Sequence, residues 1–121
     1  MELMMRYKWL FLLLLLAVLP LRAQNVSANY QYLYISTATT TAVRDGAGYL
    51  SGLTINGGTG GTVTLYDIAA SGCSGTPGSG KFATIEAIGA TNPVSLTYNL
   101  HVLKGICVVT AAATDLTITF N

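Results

Sequence analysis

The stretch "NPVSLTYNLHV", residues 92–102, decides the fold class. Every second residue in it is apolar: Val94, Leu96, Tyr98, Leu100 and Val102. Serine, threonine, asparagine and histidine fill the positions between them. A period of two places the apolar side chains on one face of an extended strand and the polar ones on the other. The stretch therefore predicts a β-strand with one buried face.

Six other segments show the same alternation, or a short apolar run. They are 29–37 "NYQYLYIST", 49–56 "YLSGLTIN", 61–67 "GTVTLYD", 81–89 "KFATIEAIG", 105–110 "GICVVT" and 115–121 "DLTITFN". For 81–89 a short helix is the alternative to a strand. Segment 105–110 is apolar on both faces, which favours a central strand that is covered on both sides.

Turn residues separate these segments, at 44–48, 56–61, 71–80, 89–93 and 103–105. Roughly seven or eight short strands with such spacing are typical of an antiparallel sandwich or a small barrel. We therefore predict an all-β fold, a small antiparallel β-sandwich of jelly-roll or immunoglobulin-like topology.

The first 23 residues have the order of a secretory signal peptide. Arg6 and Lys8 precede the apolar run "WLFLLLLLAVL", Pro20 ends that run, and Ala23 is a small residue at the cleavage position. The alternative, a membrane anchor, would need an apolar run of ~20 residues. We expect cleavage before Gln24, a single β-sandwich domain at 24–121, and no stable membrane span after cleavage. The expected location is the cell surface, the periplasm or the extracellular space.

Segment 24–121 is poor in charge. Its three basic residues and four acidic residues give a formal charge of −1. Nucleic-acid binding requires a basic stripe or patch, so nucleic acid is not an expected partner. The abundance of Val, Ile and Thr argues equally against a disordered chain.

Cys73 and Cys107 are the only cysteines. In an exported protein such a pair is most simply a disulfide, which would stabilise the fold by roughly 3–4 kcal/mol in the chain-entropy model. Two buried free thiols are the alternative. Two cysteines alone do not support a metal site, and the absence of C-x-x-C spacing argues against redox catalysis.

The stretch "GTPGSGKF", residues 75–82, has the glycine and lysine spacing of a phosphate-binding loop. Phe82, however, stands where such a loop needs a hydroxyl for Mg²⁺, and the residues that follow favour a strand over the required helix. Glycine, serine, threonine and proline are ordinary residues of a long hairpin connection. We interpret this stretch as a surface loop.

The remaining chemistry-bearing residues form no catalytic pattern. His101, the single histidine, alternates with the apolar face and is expected at the surface beside Asn99 and Thr97. The acidic residues are isolated: Asp45, Asp67, Glu86 and Asp115. Paired carboxylates can come from distant strands, but turn chemistry explains Asp45 and Asp115. We predict no enzymatic activity, no cofactor and no metal.

Tyr30, Tyr32 and Tyr34 lie on one side of segment 29–37, opposite Leu33 and Ile35. An aromatic stripe on a β-face can stack on sugars or contact a partner protein. The alternative is a core strand with the tyrosine hydroxyls at its rim. The three tyrosines are therefore a candidate binding face.

Four motifs, "GYLSGLTIN", "GGTVTLYDIAASG", "KFATIEAI" and "GICVVTAAATDLTITF", carry a resemblance. In this order, over about residues 49–121, the chain resembles small all-β proteins of tailed-phage and prophage genomes. The resemblance implies a virion structural or decoration component, and it carries over no site residues. The signal peptide and the cysteine pair depart from that pattern and favour an exported protein with the same type of fold.

Two hypotheses for function follow, with a small enzyme as a third. The first is a secreted, non-catalytic structural or assembly subunit that associates with itself or with another surface or virion protein. Low charge and open strand edges suit such association. The second is a module that binds carbohydrate or a cell surface through Tyr30, Tyr32 and Tyr34 or through loop 71–80.

Overall fold

The computed structural model describes residues 29–86 and 93–121. Within these ranges the chain forms eight strands and a single 3-10 turn at Ala70–Gly72. The strands are β1 Gln31–Ile35, β2 Thr39–Asp45, β3 Gly48–Gly58, β4 Thr62–Asp67, β5 Lys81–Glu86, β6 Val94–Val102, β7 Gly105–Thr110 and β8 Thr114–Phe120. The predicted signal peptide, 1–23, lies outside the described residues.

The strands form two antiparallel sheets of four. The front sheet has the order β1-β8-β3-β6, and the back sheet has the order β2-β7-β4-β5. The pairs are nested: β1 joins β8, β2 joins β7, β3 joins β6 and β4 joins β5. A long hairpin wrapped in this way into two sheets is a jelly roll. The predicted all-β sandwich is confirmed, with jelly-roll rather than immunoglobulin-like topology.

The core lies between the sheets and is made by the alternating apolar residues. Its buried members are Ile35, Leu50, Leu53, Ile55, Val63, Leu65, Val102, Ile106, Val108, Leu116, Ile118 and Phe120. Phe82 of the back sheet meets Tyr98 of the front sheet edge to face, with ring centroids 6.4 Å apart. Burial raises the pKa of the Tyr98 phenol above its ordinary value. Val94 and Leu100, predicted for the apolar face of β6, stay partly exposed because β6 is an edge strand.

Strand β7 is covered on both faces, as its apolar sequence predicted. It lies between β2 and β4. Ile106 and Val108 face the core, whereas Cys107 points to the outer side and bonds to Cys73 in the β4–β5 connection. Thr40 of β2 donates a hydrogen bond of 2.6 Å to the Gly75 carbonyl in the same connection. This connection therefore lies over the outer face of the back sheet.

Strand β2 is the element that the sequence did not predict. Its sequence, "TTTAVRD", lacks an apolar alternation, and its register with β7 shifts between Ala42 and Arg44. Hydrogen bonds define its start instead. The buried Thr110 hydroxyl accepts from the Thr39 N–H at 2.8 Å and donates to the Thr37 carbonyl at 2.7 Å. Pairing with β7 thus makes a strand of a segment with weak local signals.

Segment 81–89 begins as a strand, not as a helix, since Lys81–Glu86 forms β5. Residues 87–89 lie outside the described ranges. No helix in the described part of the chain is long and apolar enough to cross a membrane.

Candidate functional site

The predicted tyrosine stripe is exposed on the outer face of the front sheet. Tyr32 and Tyr34 point away from the core, because Ile35 and the half-buried Leu33 point inward. The exposed fractions of Tyr30, Tyr32 and Tyr34 are 60%, 77% and 55%. The alternative interpretation, a core strand with only tyrosine hydroxyls at its rim, is therefore wrong. Strand β1, which contains Tyr32 and Tyr34 and begins directly after Tyr30, is an edge of its sheet.

The rest of this outer face is rich in hydroxyl groups and carries little charge. One row across the sheet runs from Tyr32 through Thr119 and Gly52 to Thr97. The next row runs from Tyr34 through Thr117 and Thr54 to Ser95, and the Thr54 and Ser95 hydroxyls lie 3.0 Å apart. No Lys or Arg occurs in the four strands of the front sheet, and Asp115 is their single carboxylate. One carboxylate and no basic side chain in these strands give this surface little charge complementarity for a highly charged partner.

At one end of this face the structure forms a shallow pocket of about 270 Å³. Its lining combines two aromatic rings, two amides and one hydroxyl: Tyr30, Tyr49, Ser51, Asn99 and Asn121. Two backbone hydrogen bonds hold Asn121 beside Tyr49 in the pocket wall. The Tyr49 N–H donates to the Asn121 carbonyl at 3.1 Å, and the Asn121 N–H donates to the Tyr49 carbonyl at 3.0 Å. The aromatic stripe of β1 therefore continues into a pocket built by β3, β6 and the residue after β8.

A local irregularity of the two strands shapes the pocket. Between the pairs Leu50–Leu100 and Gly52–Thr97, β6 has one residue more than β3. Asn99 lies in this bulge with a φ of +48°, the single positive φ outside glycine in the described ranges. Asparagine tolerates this left-handed conformation better than most residues. Bulges often redirect a side chain next to a functional site.

His101 lies beside the pocket, exposed as predicted. It is the cross-strand partner of Tyr49, and their ring centroids are 4.8 Å apart at an angle of 43°. The contact restricts the orientation of the Tyr49 ring. The alternation of β6 predicted His101 and Asn99 at the surface, but no sequence pattern links them to Tyr49, Ser51 or Asn121. The one available signal was the alternation of β6, which indicates that Asn99 and His101 lie on the same face of the strand.

The predicted disulfide is present. Cys73 and Cys107 are bonded, with their Cα atoms 5.7 Å apart, within the ~7 Å that a bridge allows. The bond attaches the β4–β5 connection to the back sheet. Loop 71–80, the second binding surface that the sequence suggested, consequently lies on the opposite sheet from the tyrosines. Pro77 of this loop is buried.

The glycines of "GTPGSGKF" belong to the same connection, and its lysine follows directly after them. Gly75 and Gly80 have φ values of +53° and +80°, and Lys81 begins the strand β5 rather than a helix. Half-buried Phe82 packs against the core. The stretch thus forms a surface loop, as predicted, and the first residues of a strand.

Asp67 has a role that the sequence did not reveal. It accepts hydrogen bonds from the backbone N–H groups of Leu103, Lys104 and Gly105 at 3.0, 2.7 and 3.2 Å. Desolvation by burial alone would raise the pKa of this carboxyl. The three hydrogen bonds and the positive charge of Lys104 outweigh it, and the pKa lies below its ordinary value. The carboxylate holds the turn between β6 and β7.

The described residues contain no group of three or more histidine, cysteine or acidic side chains that could hold a metal ion. Comparisons with protein-family models, with curated proteins and with solved structures found no match.

Proposed function

We propose that the protein is an exported, non-catalytic assembly subunit that associates through the β1 edge of its front sheet. The supporting observation is the exposure of Tyr32 and Tyr34 on this edge strand and of Tyr30 directly before it. Tyrosine is enriched at protein interfaces because its ring buries a large apolar area while its hydroxyl keeps a hydrogen bond.

The four sheet edges differ in how far they are protected against pairing. Charged residues, bulges and covering loops are the usual protection. Strand β2 has Arg44, Asp45 and a register shift, and the β4–β5 connection forms a hydrogen bond with it. Strand β5 has Lys81 and Glu86 at its ends. Strand β6 contains the bulge at Asn99.

Strand β1 has none of these protections in the described part of the chain. Its sequence, "QYLYI", contains no charge and no proline, and its register with β8 has no shift. A strand of a partner protein can therefore pair with this edge through regular backbone hydrogen bonds. The tyrosines would then contact the outer face of the partner's sheet. A second copy of this chain or another surface or virion protein is the proposed partner.

The experiment is a measurement of native mass by light scattering after size exclusion, on the product of the full-length chain over a range of concentrations. The proposal expects a mass above that of the monomer that rises with concentration. Changing Tyr32→Ser together with Tyr34→Ser should shift this product to the monomer.

The matched control is Tyr49→Ser, the same change at a tyrosine of similar exposure that lies on β3 and not on the edge. This variant should keep the wild-type mass. A wild-type protein that is monomeric at every concentration, and that forms no complex with another surface protein, contradicts the proposal.

A further inference from the structure

We infer that the pocket between Tyr30, Tyr49, Ser51, Asn99 and Asn121 binds a single neutral sugar ring. The pocket includes Tyr30 but neither Tyr32 nor Tyr34, the two tyrosines whose substitution tests the assembly proposal. The inference would stand even if the protein proved to be a monomer.

The lining matches the chemistry of a sugar. A pyranose has an apolar C–H face and a rim of hydroxyl groups that both donate and accept hydrogen bonds. Aromatic rings supply an apolar face with a polar tip. An amide supplies donors and an acceptor at one position, and a serine hydroxyl does both with one atom. Tyr30 and Tyr49 give the first property, and Asn99, Asn121 and Ser51 give the second.

The absence of charge determines the class of sugar. None of the five lining residues is a carboxylate, a lysine or an arginine. A uronic acid, a sulfated sugar or a phosphate would lose hydration in this pocket without gaining an opposite charge, which is unfavourable. A neutral hexose or N-acetylhexosamine meets no such penalty.

The pocket is also held in shape before any ligand binds. The positive φ of Asn99 fixes the direction in which its side chain leaves the strand. The two backbone hydrogen bonds hold Asn121 beside Tyr49, and the His101 ring packs on the Tyr49 ring. Left-handed non-glycine residues cost free energy and concentrate at functional sites. Preorganisation of this kind lowers the entropy lost on binding.

The volume sets the size of the ligand and its affinity. At about 270 Å³ the pocket is slightly smaller than the ~300–1,000 Å³ typical of sites for drug-sized molecules. One ring fits this space, and further units would extend over the open face. A hexose has about twelve non-hydrogen atoms, and at the binding energy per atom typical of drug-sized ligands it binds with a Kd on the order of 1 mM.

The test is an NMR titration of the ¹⁵N-labelled product of the full-length chain. The neutral probes are the methyl glycosides of glucose, galactose, mannose and N-acetylglucosamine, and the charged probes are glucuronic acid and glucosamine. At least one neutral probe should shift the backbone amides of Tyr49, Ser51 and Asn99. The charged probes should shift them less at equal concentration.

Two variants identify the residues responsible. Asn99→Gly removes the amide while glycine keeps the positive φ, and Tyr49→Leu removes the aromatic face but keeps an apolar side chain. Each should weaken binding of the neutral probe about tenfold, equivalent to one lost hydrogen bond or stacking contact. Thr54→Ala, on the same face but outside the pocket, should leave the Kd within about twofold.

Three results would overturn the inference. The first is no shift of the pocket amides by any neutral probe at concentrations well above ~1 mM. The second is unchanged affinity in both Asn99→Gly and Tyr49→Leu, with the folded spectrum retained. The third is a preference for the charged probes. The Tyr32→Ser and Tyr34→Ser double variant should bind the neutral probe normally, so that failure of the assembly proposal and failure of this one are distinguishable.

Discussion

At the residue scale, single polar groups hold the turns that join the two sheets. Asp67 stands at the end of β4, yet its carboxylate accepts hydrogen bonds from three backbone N–H groups at the β6–β7 turn, 36 to 38 residues further along the chain. Hydrogen bonds to a charged acceptor contribute more than those between neutral groups. Sequence alone shows an isolated acid at a strand end, because its partners are adjacent only after the strands have paired.

Asp67→Asn should lower the free energy of unfolding at pH 7 by about 1–3 kcal/mol, since the amide keeps one acceptor oxygen but no charge. The pKa of Asp67 is lowered in the folded state, so its stabilising contribution is present above the unfolded pKa of ~3.9 and is lost as the pH falls through the folded value. The difference between variant and wild type should therefore shrink below pH ~4. Urea unfolding followed by circular dichroism measures it.

The control for this change is Asp115→Asn. Asp115 accepts a hydrogen bond of 3.2 Å from the Asn56 side chain at the surface. Its replacement should change the free energy of unfolding by less than ~0.5 kcal/mol. If the loss at Asp67 were equally large at pH 7 and pH 3, the charge of the carboxylate would not be its source.

Gly105 shows the same dependence on distant neighbours. Its φ is +150°, and a Cβ at this position would lie 2.7 Å from both the Arg44 and the Ile68 carbonyl oxygens. Gly105→Ala should therefore lower the free energy of unfolding by at least ~2 kcal/mol in the same urea experiment. Gly78→Ala, where a Cβ meets nothing within 4 Å, should be neutral within ~0.5 kcal/mol. Equal effects at the two positions would contradict the steric argument.

At the element scale, the disulfide fixes the connection between β4 and β5 on the outer face of the back sheet. The two cysteines are separated by 34 residues, and closing a loop of that length stabilises a fold by about 3–4 kcal/mol in the chain-entropy model. The bond therefore supports the tip of the long hairpin that the jelly roll wraps.

Replacing Cys73→Ala together with Cys107→Ala should lower the free energy of unfolding by about 3–4 kcal/mol. Reduction of the wild type should give nearly the same loss, which serves as the control for the substitutions themselves. Because the bond lies on the back sheet, neither treatment should change the native mass or the binding of a neutral sugar while the protein stays folded. An unchanged urea midpoint after complete reduction would contradict the stabilising role.

At the scale of the whole molecule, the order of the strands determines which surfaces are available. The jelly roll places β1 at an edge of the front sheet and β7 at the centre of the back sheet. The same topology exposes the tyrosines of β1 and buries both faces of β7. The predicted change of mass on Tyr32→Ser and Tyr34→Ser belongs to this scale, since it depends on β1 being free to pair.

Several features of this protein could be predicted from the local pattern of its sequence. Alternation with a period of two is a local property, so it predicted the faces of β6 and β8, the exposure of His101 and the all-β class. The presence of only two cysteines predicted the disulfide between them. The tertiary structure alone decided the rest: the formation of β2, the exposure of Tyr30, Tyr32 and Tyr34, and the meeting of Tyr49 with Asn99 and Asn121. The physical reason is that strand neighbours and register result from non-local pairing, which a local pattern of side chains does not specify.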